Sequence, residues 1–451
     1  MKAPESCSVA VIGAGIAGVQ AAQALCKHFP DVVVLEASDR IGGRVNQVEG
    51  LVPWPVETGP EFIHGKENSE LVKLANAAGW SCREYEWPDK YYFGKTGVWL
   101  NGDTEDAEIE QVHKIFEEVS DIKLSQGKDL TGLQMMQKQG ASERAIAIAE
   151  VCYANDMGAS LRELGVKELQ TEKEAWVYGE EYLVLDRSLR NVVQYLAKDV
   201  QVVTNWPVTA VKVEEGSAGV VLTGPAGSKL RCAAVVVAVP LTVLQDSDIA
   251  FSPPLPAPKS HAVKTIRMGN AIKVLLAFEK SFWPEGLFDV CCMDSFLPEI
   301  WMLEYPAQEQ QTPSPEGLKC RGTALITAFV AGEFADQMTS MADDEVIRRS
   351  LDQLDKMFAQ PDLSRPASTA FTGGHVANWS KQKFIRGAYS FPTVGAAGCR
   401  EALAAPIGGR LFFAGEATHV GVNPCLQAAM ETGLRAAAEV TAALKPPRSR
   451  L

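Results

Sequence analysis

The chain opens on a tight apolar block. Ser8 to Gly13 reads as a buried strand closing on a glycine turn, residues 17–28 read as a helix, and Val32 to Leu35 reads as a second strand. This is a strand–helix–strand opening. Ile109, Val112, Ile115, Phe116, Val119 and Ile122 fall on one helical face among acidic neighbours, and residues 141–164 also read as helical. Residues from about 76 to 190 therefore form a helix-rich insert. Strand patterns return at 200–203, 208–213 and 233–239, with turns at 216–219 and 224–228 flanking a short strand. Ile272 to Phe278 alternates as a strand, Leu411 to Phe413 is a short buried one, and residues 421–444 form an Ala-rich helix. There is no internal repeat and no low-complexity tract.

The 451 residues suggest two or three domains. Strands of nucleotide-binding character lie at both ends and in the middle, so one domain is assembled from separated segments with the other inserted between them. The expected fold class is α/β. Its first domain takes residues 1–75, 195–260 and 375–448, and the inserted α+β domain takes residues 76–194 and 261–374.

Composition narrows the class. With 46% hydrophobic and 22% charged residues the chain is neither disordered nor a disulfide scaffold. A formal charge of −13 repels nucleic acid and anionic membranes and mildly attracts cations. The longest apolar run, Ala233 to Leu244, is too short for a bilayer span, which needs about 20 residues. Ten scattered cysteines show no zinc spacing, which fits a reducing compartment and thiols placed in cores. Ser449-Arg450-Leu451 is a close variant of the peroxisomal Ser-Lys-Leu address, so a peroxisomal import receptor is an expected partner and the cytoplasm the alternative location.

Gly13-Ala14-Gly15-Ile16-Ala17-Gly18 fits G-x-G-x-x-G between a strand and a helix. Gly13 permits the turn, Gly15 lets backbone approach a pyrophosphate, and Gly18 lets the helix pack on the strand, with the helix dipole facing the phosphates. Glu36 ends the second strand, where an acid accepts hydrogen bonds from ribose hydroxyls. A second glycine pair, Gly42-Gly43, followed by Arg44, brings further backbone donors and a positive charge to the pyrophosphate. That extension favours FAD over a nicotinamide cofactor.

With these anchors the sequence resembles the flavin-containing amine oxidases, the family of polyamine oxidases, monoamine oxidases and lysine-specific histone demethylases. The resemblance runs nearly end to end. It is carried by Val11 to Arg44, Gly59-Pro60-Glu61-Phe62-Ile63-His64-Gly65, Ala238-Val239-Pro240-Leu241, Gly269-Asn270-Ala271-Ile272-Lys273 and Phe282-Trp283-Pro284. Trp379, Gly387-Ala388-Tyr389-Ser390 and Phe413-Ala414-Gly415-Glu416-Ala417-Thr418 complete it. Within the family it looks most like the plant-type peroxisomal polyamine oxidases.

The resemblance implies a glutathione-reductase-type FAD domain and assigns roles to individual positions. Lys273, a charge in an otherwise apolar strand, matches the lysine that holds a water beside flavin N5; the alternative is a surface lysine on an edge strand. His64 matches a histidine near the substrate, able to tune amine protonation, or else is a core histidine. Tyr389 matches one wall of an aromatic cage whose opposite wall is here Cys425. Ala388 stands where monoamine oxidases carry the cysteine bonded to flavin, so FAD is expected to be non-covalent. Gly59, Pro60, Glu61, Phe62, Val208, Trp379, Gly415, Glu416 and Gln427 are further cofactor candidates; Gln427 replaces a histidine common in polyamine oxidases. Glu180, Glu181 and Asp186 are candidates for holding a distal ammonium group.

The implied reaction is oxidation of a cationic amine, with spermine, spermidine or an acetylated form the expected substrate. Hydride passes from the α-carbon of the neutral amine to flavin N5, the imine is hydrolysed, and O2 reoxidises the flavin to give hydrogen peroxide. An amino-acid oxidase is the alternative, and it needs a cavity arginine for the carboxylate; Arg187, Arg267 and Arg386 are the candidates. A histone-tail demethylase needs further domains, and an inactive flavoprotein scaffold would have no use for Lys273.

Overall fold

The computed structural model describes residues 3–85, 87, 89–214, 219–302, 320–422 and 425–444. Ser449-Arg450-Leu451 lies outside the described residues. The first sheet has eight strands built on a parallel core. Strand Ser6–Ile12 lies between Val32–Leu35 and Lys229–Val237, and Gln201–Val203 extends the sheet beyond Val32–Leu35. The four residues Val32–Leu35 are all buried, as expected of parallel strands covered on both faces. Strand Lys229–Val237 is forked: its first half pairs antiparallel with Val220–Thr223, while its second half pairs parallel with Leu411–Phe413. Segments nearly two hundred residues apart are thereby joined in one sheet.

Helix Ile16–Cys26 packs between this sheet and helix Leu426–Leu444. The approach is very close. A Cβ on Gly18 would stand 2.0 Å from the carbonyl oxygen of Gly13, so only glycine lets the helix sit on the turn that precedes it.

A seven-stranded sheet follows the order Phe371–Asn378, Ala271–Phe278, Ala324–Ala331, Glu299–Trp301, Asp289–Met293, Lys90–Phe93, Val98–Asn101. All eight residues of Ala271–Phe278 are buried, because the strand is central and both sheet faces are covered. Its sequence alternation therefore does not mark an inner and a solvent face. Strand Phe371–Asn378 straddles the boundary expected at residue 374, and helix Arg190–Ala197 straddles the one at 194. The insert also carries strands at Cys82–Tyr85, Lys90–Phe93, Val98–Asn101 and Tyr182–Leu185, more sheet than its helical spacing suggests. A three-stranded sheet joins Phe62–His64, Tyr182–Leu185 and Cys82–Tyr85 in that order.

The 141–164 region is not one helix. Helix Glu143–Ala149 passes into a π-turn at Glu150–Ala154, followed by turns. Asn155 marks the break: its Oδ1 accepts from the Ala331 N–H at 2.8 Å and its Nδ2 donates to Glu299 at 3.4 Å. These two bonds tie the end of the π-turn to the second sheet, a contact that helical spacing alone does not reveal. All ten cysteines are free, and seven of them are buried. No helix among the described residues is long and apolar enough to cross a membrane.

Candidate active site

A cavity of about 580 Å³ runs from the first sheet to the second. At the first sheet it is lined by Gly13, Gly15, Glu36, Arg40, Gly42, Gly43 and Arg44. Gly15 caps helix Ile16–Cys26 with ordinary extended backbone, φ −67°, and a Cβ there would meet nothing within 4 Å. The space in front of this helix N-terminus is open, and a side chain at Gly15 would intrude on it. That is the provision a pyrophosphate needs. Glu36 is buried beside it, one oxygen accepting from the Ala14 N–H at 2.7 Å and the other from Ser38 N and Oγ, both at 2.8 Å.

Arg44 donates to the carbonyl of Ala388 at 2.7 Å and to Glu416 Oε1 at 2.8 Å. Glu416 also accepts from Ser390 Oγ at 2.5 Å. Glu416 therefore anchors the arginine rather than standing free. Trp379 donates to the Thr58 carbonyl at 2.8 Å, fixing the Gly59–Phe62 turn. Gly59, Pro60, Glu61, Phe62, Trp379, Gly415 and Glu416 all line the cavity. Ala14, Gly18, Val208 and Gln427 do not. Val208 is packed in the core of the first sheet, and Gln427 is fully buried, donating to the His64 carbonyl at 2.7 Å. Gln427 thus supports His64 from behind the wall.

At the other end stands Lys273. It is buried on a central strand, not exposed on an edge, and donates to Glu61 Oε2 at 2.7 Å and to the Glu57 carbonyl at 3.3 Å. Trp301 donates to the same Glu61 oxygen at 3.1 Å and presents its ring 5.0 Å from the ammonium. His64 lines the cavity against the edge of Tyr182, and burial holds its pKa below the ordinary value, against the opposing pull of Asp156. Tyr389 lines it too, its hydroxyl donating to the Asp156 carbonyl at 2.8 Å. Cys425 faces the same space as a buried thiol whose pKa burial pushes up.

Of the acids expected to hold a distal ammonium, Glu180 and Glu181 line the cavity. Glu180 is exposed, and Glu181 is paired with Lys66 at 2.7 Å. Asp186 is engaged by Arg187 at 2.7 Å and is absent from the wall. Asp156, Asp289 and Glu299 also line the cavity and were not legible as site residues. Asp289 and Glu299 could have been flagged by the logic that singled out Lys273, since they bound apolar strand segments where a charge is costly. Phe288, Trp87, Trp301, Phe329 and Tyr182 supply aromatic walls around them.

The sequence matches a known family. The model for flavin containing amine oxidoreductases matches residues 16–174 and 128–441. The chain belongs to that family. Membership makes it a flavin-dependent amine oxidoreductase, and the open cradle at Gly15 with Arg44 on its wall fits the flavin nucleotide. Among curated relatives it is 27% identical to Polyamine oxidase 4 of Oryza sativa subsp. japonica, over 96% of this chain and 88% of that protein. It is 28% identical to Polyamine oxidase 2 of Arabidopsis thaliana, over 95% and 87% respectively. Lysine-specific histone demethylase 1B of Mus musculus is 25% identical over 96% of this chain, which spans only 53% of that longer protein. In fold it resembles cyclohexylamine oxidase from Brevibacterium oxydans, with a TM-score of 0.81, 22% identity and coverage of 98% and 100%. Putrescine oxidase bound to putrescine gives a TM-score of 0.77 at 20% identity, covering 97% of this chain and 99% of that one.

Proposed function

We propose that the protein is an FAD-dependent oxidase of cationic amines, polyamines above all, with non-covalent FAD and O2 as acceptor. One observation carries this reading: a single cavity joins a dinucleotide cradle to a pocket of buried acids and aromatic rings. Such a pocket suits ammonium groups through charge and π-face attraction. The amino-acid alternative lacks its clamp. Arg187 is paired with Asp186, Arg267 with Glu163, and Arg386 with Asp246 and Asp248, and none of the three lines the cavity. Relatives named polyamine oxidase support the choice of substrate class.

Bound FAD would supply the two-electron acceptor for the amine α-carbon. The chain's own residues would do the rest. Gly13, Gly15 and Arg44 hold the nucleotide. Tyr389 and the neighbouring aromatic walls orient the amine, so that its reacting carbon is presented in a fixed geometry. His64 lines the wall as an imidazole whose pKa burial lowers, with a ring nitrogen able to accept a hydrogen bond from the amine. Lys273, tied to Glu61, keeps a fixed positive charge at the reaction end. Ala388 offers no thiol to the cofactor, which supports non-covalent binding.

Anaerobic mixing of the yellow holoprotein with spermine, spermidine, their acetylated forms and L-amino acids tests the reading. Bleaching of the flavin by a polyamine, reversed by air with peroxide release, is the expected result. Bleaching by amino acids alone, or by nothing, would overturn it. Release of all flavin on acid denaturation is the expected sign of a non-covalent cofactor.

A further inference from the structure

Strand Asp289–Met293 places Asp289 and Cys291 two residues apart, so their side chains share one face of the second sheet. Glu299 lies directly opposite Cys291 on the neighbouring antiparallel strand and joins that face. The register thus gathers two carboxylates and a thiol whose spacing in the chain matches no metal motif. One donor atom from each of the three lies within 4.8 Å of the other two. Ligands on a tetrahedral zinc ion stand about 3.5 Å apart, so small side-chain rotations close the set around one ion.

The three residues are buried, with 1%, 0% and 7% exposure for Asp289, Cys291 and Glu299. Asp289 Oδ2 has no hydrogen-bond partner among the described residues, an acceptor left open in the interior. The partners that are present carry no charge. Glu299 accepts from Trp87 Nε1 at 3.0 Å and from Asn155 Nδ2 at 3.4 Å, and the Cys152 thiol of the π-turn shares a hydrogen bond with Cys291. Such contacts orient ligands without neutralising them, which is the outer support a metal site requires. Lys273, a cation on the same cavity wall, is committed to Glu61. Burial raises the pKa of both acids, Glu299 to about 8, and with the Cys152 hydrogen bond it raises that of the Cys291 thiol. Asp289 and Glu299 line the cavity, which gives an ion its way in. Cys291 separates this set from a merely acidic pocket: a thiolate is a soft ligand that favours zinc-type ions over magnesium or calcium.

We propose that Asp289, Cys291 and Glu299 form a binding site for one divalent transition-metal ion of the zinc type. The Cys291 S–H bond gives its proton to solvent water as the sulfur–metal bond forms, any proton on the carboxyls leaves in the same way, and no electron is transferred. Three protein ligands leave one position, on the cavity side, for a water molecule. An ion seated there occupies the wall that an amine must pass and opposes its positive charge, so zinc is a reversible inhibitor of amine oxidation. That consequence rests on the oxidase reading above, whereas the site itself does not.

The test uses the holoprotein carrying Cys26→Ser and Cys320→Ser, which removes its two exposed thiols, after a chelator has been applied and filtered away. Calorimetric titration with Zn2+ alone is expected to show one tightly bound ion per chain, and Mg2+ or Ca2+ none. Co2+ should give thiolate-to-cobalt charge transfer and the intense ligand-field bands of a tetrahedral site, to the red of flavin absorption. Cys291→Ser and Asp289→Asn should each weaken Zn2+ binding roughly 100-fold or more, since loss of an outer partner alone costs about 10- to 100-fold. Zn2+ should slow flavin bleaching by amines, with relief by chelator. No Zn2+ binding, equal binding of Mg2+, or Zn2+ affinity untouched by both substitutions overturns the site. Where a variant fails to fold, the Co2+ spectrum decides, and a spectrum without thiolate charge transfer overturns it. Zn2+ binding that leaves bleaching unchanged overturns the inhibition. Absence of bleaching by every amine before metal is added defeats the oxidase reading instead, and the titrations still decide the site.

Discussion

Lys273 Nζ lies 2.7 Å from Glu61 Oε2, with 6% and 2% of the two side chains exposed. The pair is a buried ion pair shared with Trp301, and its two halves come from positions 212 residues apart. Removing one partner of such a pair typically costs about 3–5 kcal/mol, because the other charge is left uncompensated. Lys273→Met is expected to destabilise the holoprotein by that order, and Lys273→Met combined with Glu61→Gln to recover part of the loss. Chemical denaturation of the three proteins measures it. In stopped-flow experiments Lys273→Met should slow flavin reoxidation by O2 roughly 100-fold, the scale of a lost preorganised charge. Unchanged reoxidation would remove Lys273 from the oxidative step.

Gly15→Ala separates folding from cofactor binding. Its backbone suits any residue, and an added Cβ meets no protein atom within 4 Å. The variant should therefore fold with apoprotein stability within about 0.5 kcal/mol of wild type. Its methyl group enters the cradle at the helix N-terminus, so the purified protein is expected to lose its yellow colour. A fully loaded Gly15→Ala protein would mean that the nucleotide does not approach this backbone.

Arg44→Ala removes the donor to both Ala388 and Glu416. Hydrogen bonds to charged groups contribute about 1.5–3 kcal/mol, so FAD affinity should fall by roughly 10- to 100-fold. The flavin-to-protein absorbance ratio after gel filtration reads the loss directly.

Glu57 titrates within the fold. Burial raises its pKa from 4.5 to about 7, against hydrogen bonds from Ser188 and the Leu189 N–H. The folded protein thus binds this proton more tightly than the unfolded chain, and stability falls as pH rises from about 4.5 to about 7. The full effect is about 3 kcal/mol, complete above pH 7. Glu57→Gln keeps an acceptor for Leu189, whose N–H lies 2.7 Å from Oε1, and removes the titration. Urea denaturation near pH 5 and near pH 8 should show the variant gaining on wild type at the higher pH. An identical pH dependence in both proteins would exclude Glu57 as its source.

What the sequence determined by itself is the nucleotide cradle and the flavin-dependent amine oxidoreductase chemistry. Gly13 to Gly18, Glu36 and Gly42 to Arg44 are close in the chain, and their task is set by local backbone: a turn, a helix start, a strand end. Lys273 was legible for another reason, since a charge inside an apolar strand demands a partner or a function. Only the tertiary structure decided the far end of the cavity. Glu180 and Glu181 do line it, one exposed and the other paired with Lys66, and the fold adds acids from distant segments. Asp289 and Glu299 meet because two short strands pair in one register, and a one-residue slip of either strand would send its acid to the opposite face. Asp156 lines the cavity beside Asn155, whose side chain is bonded to Ala331 and Glu299 on the second sheet. Register and side-chain recruitment are settled by packing between distant segments, which is why single-chain patterns were silent on them.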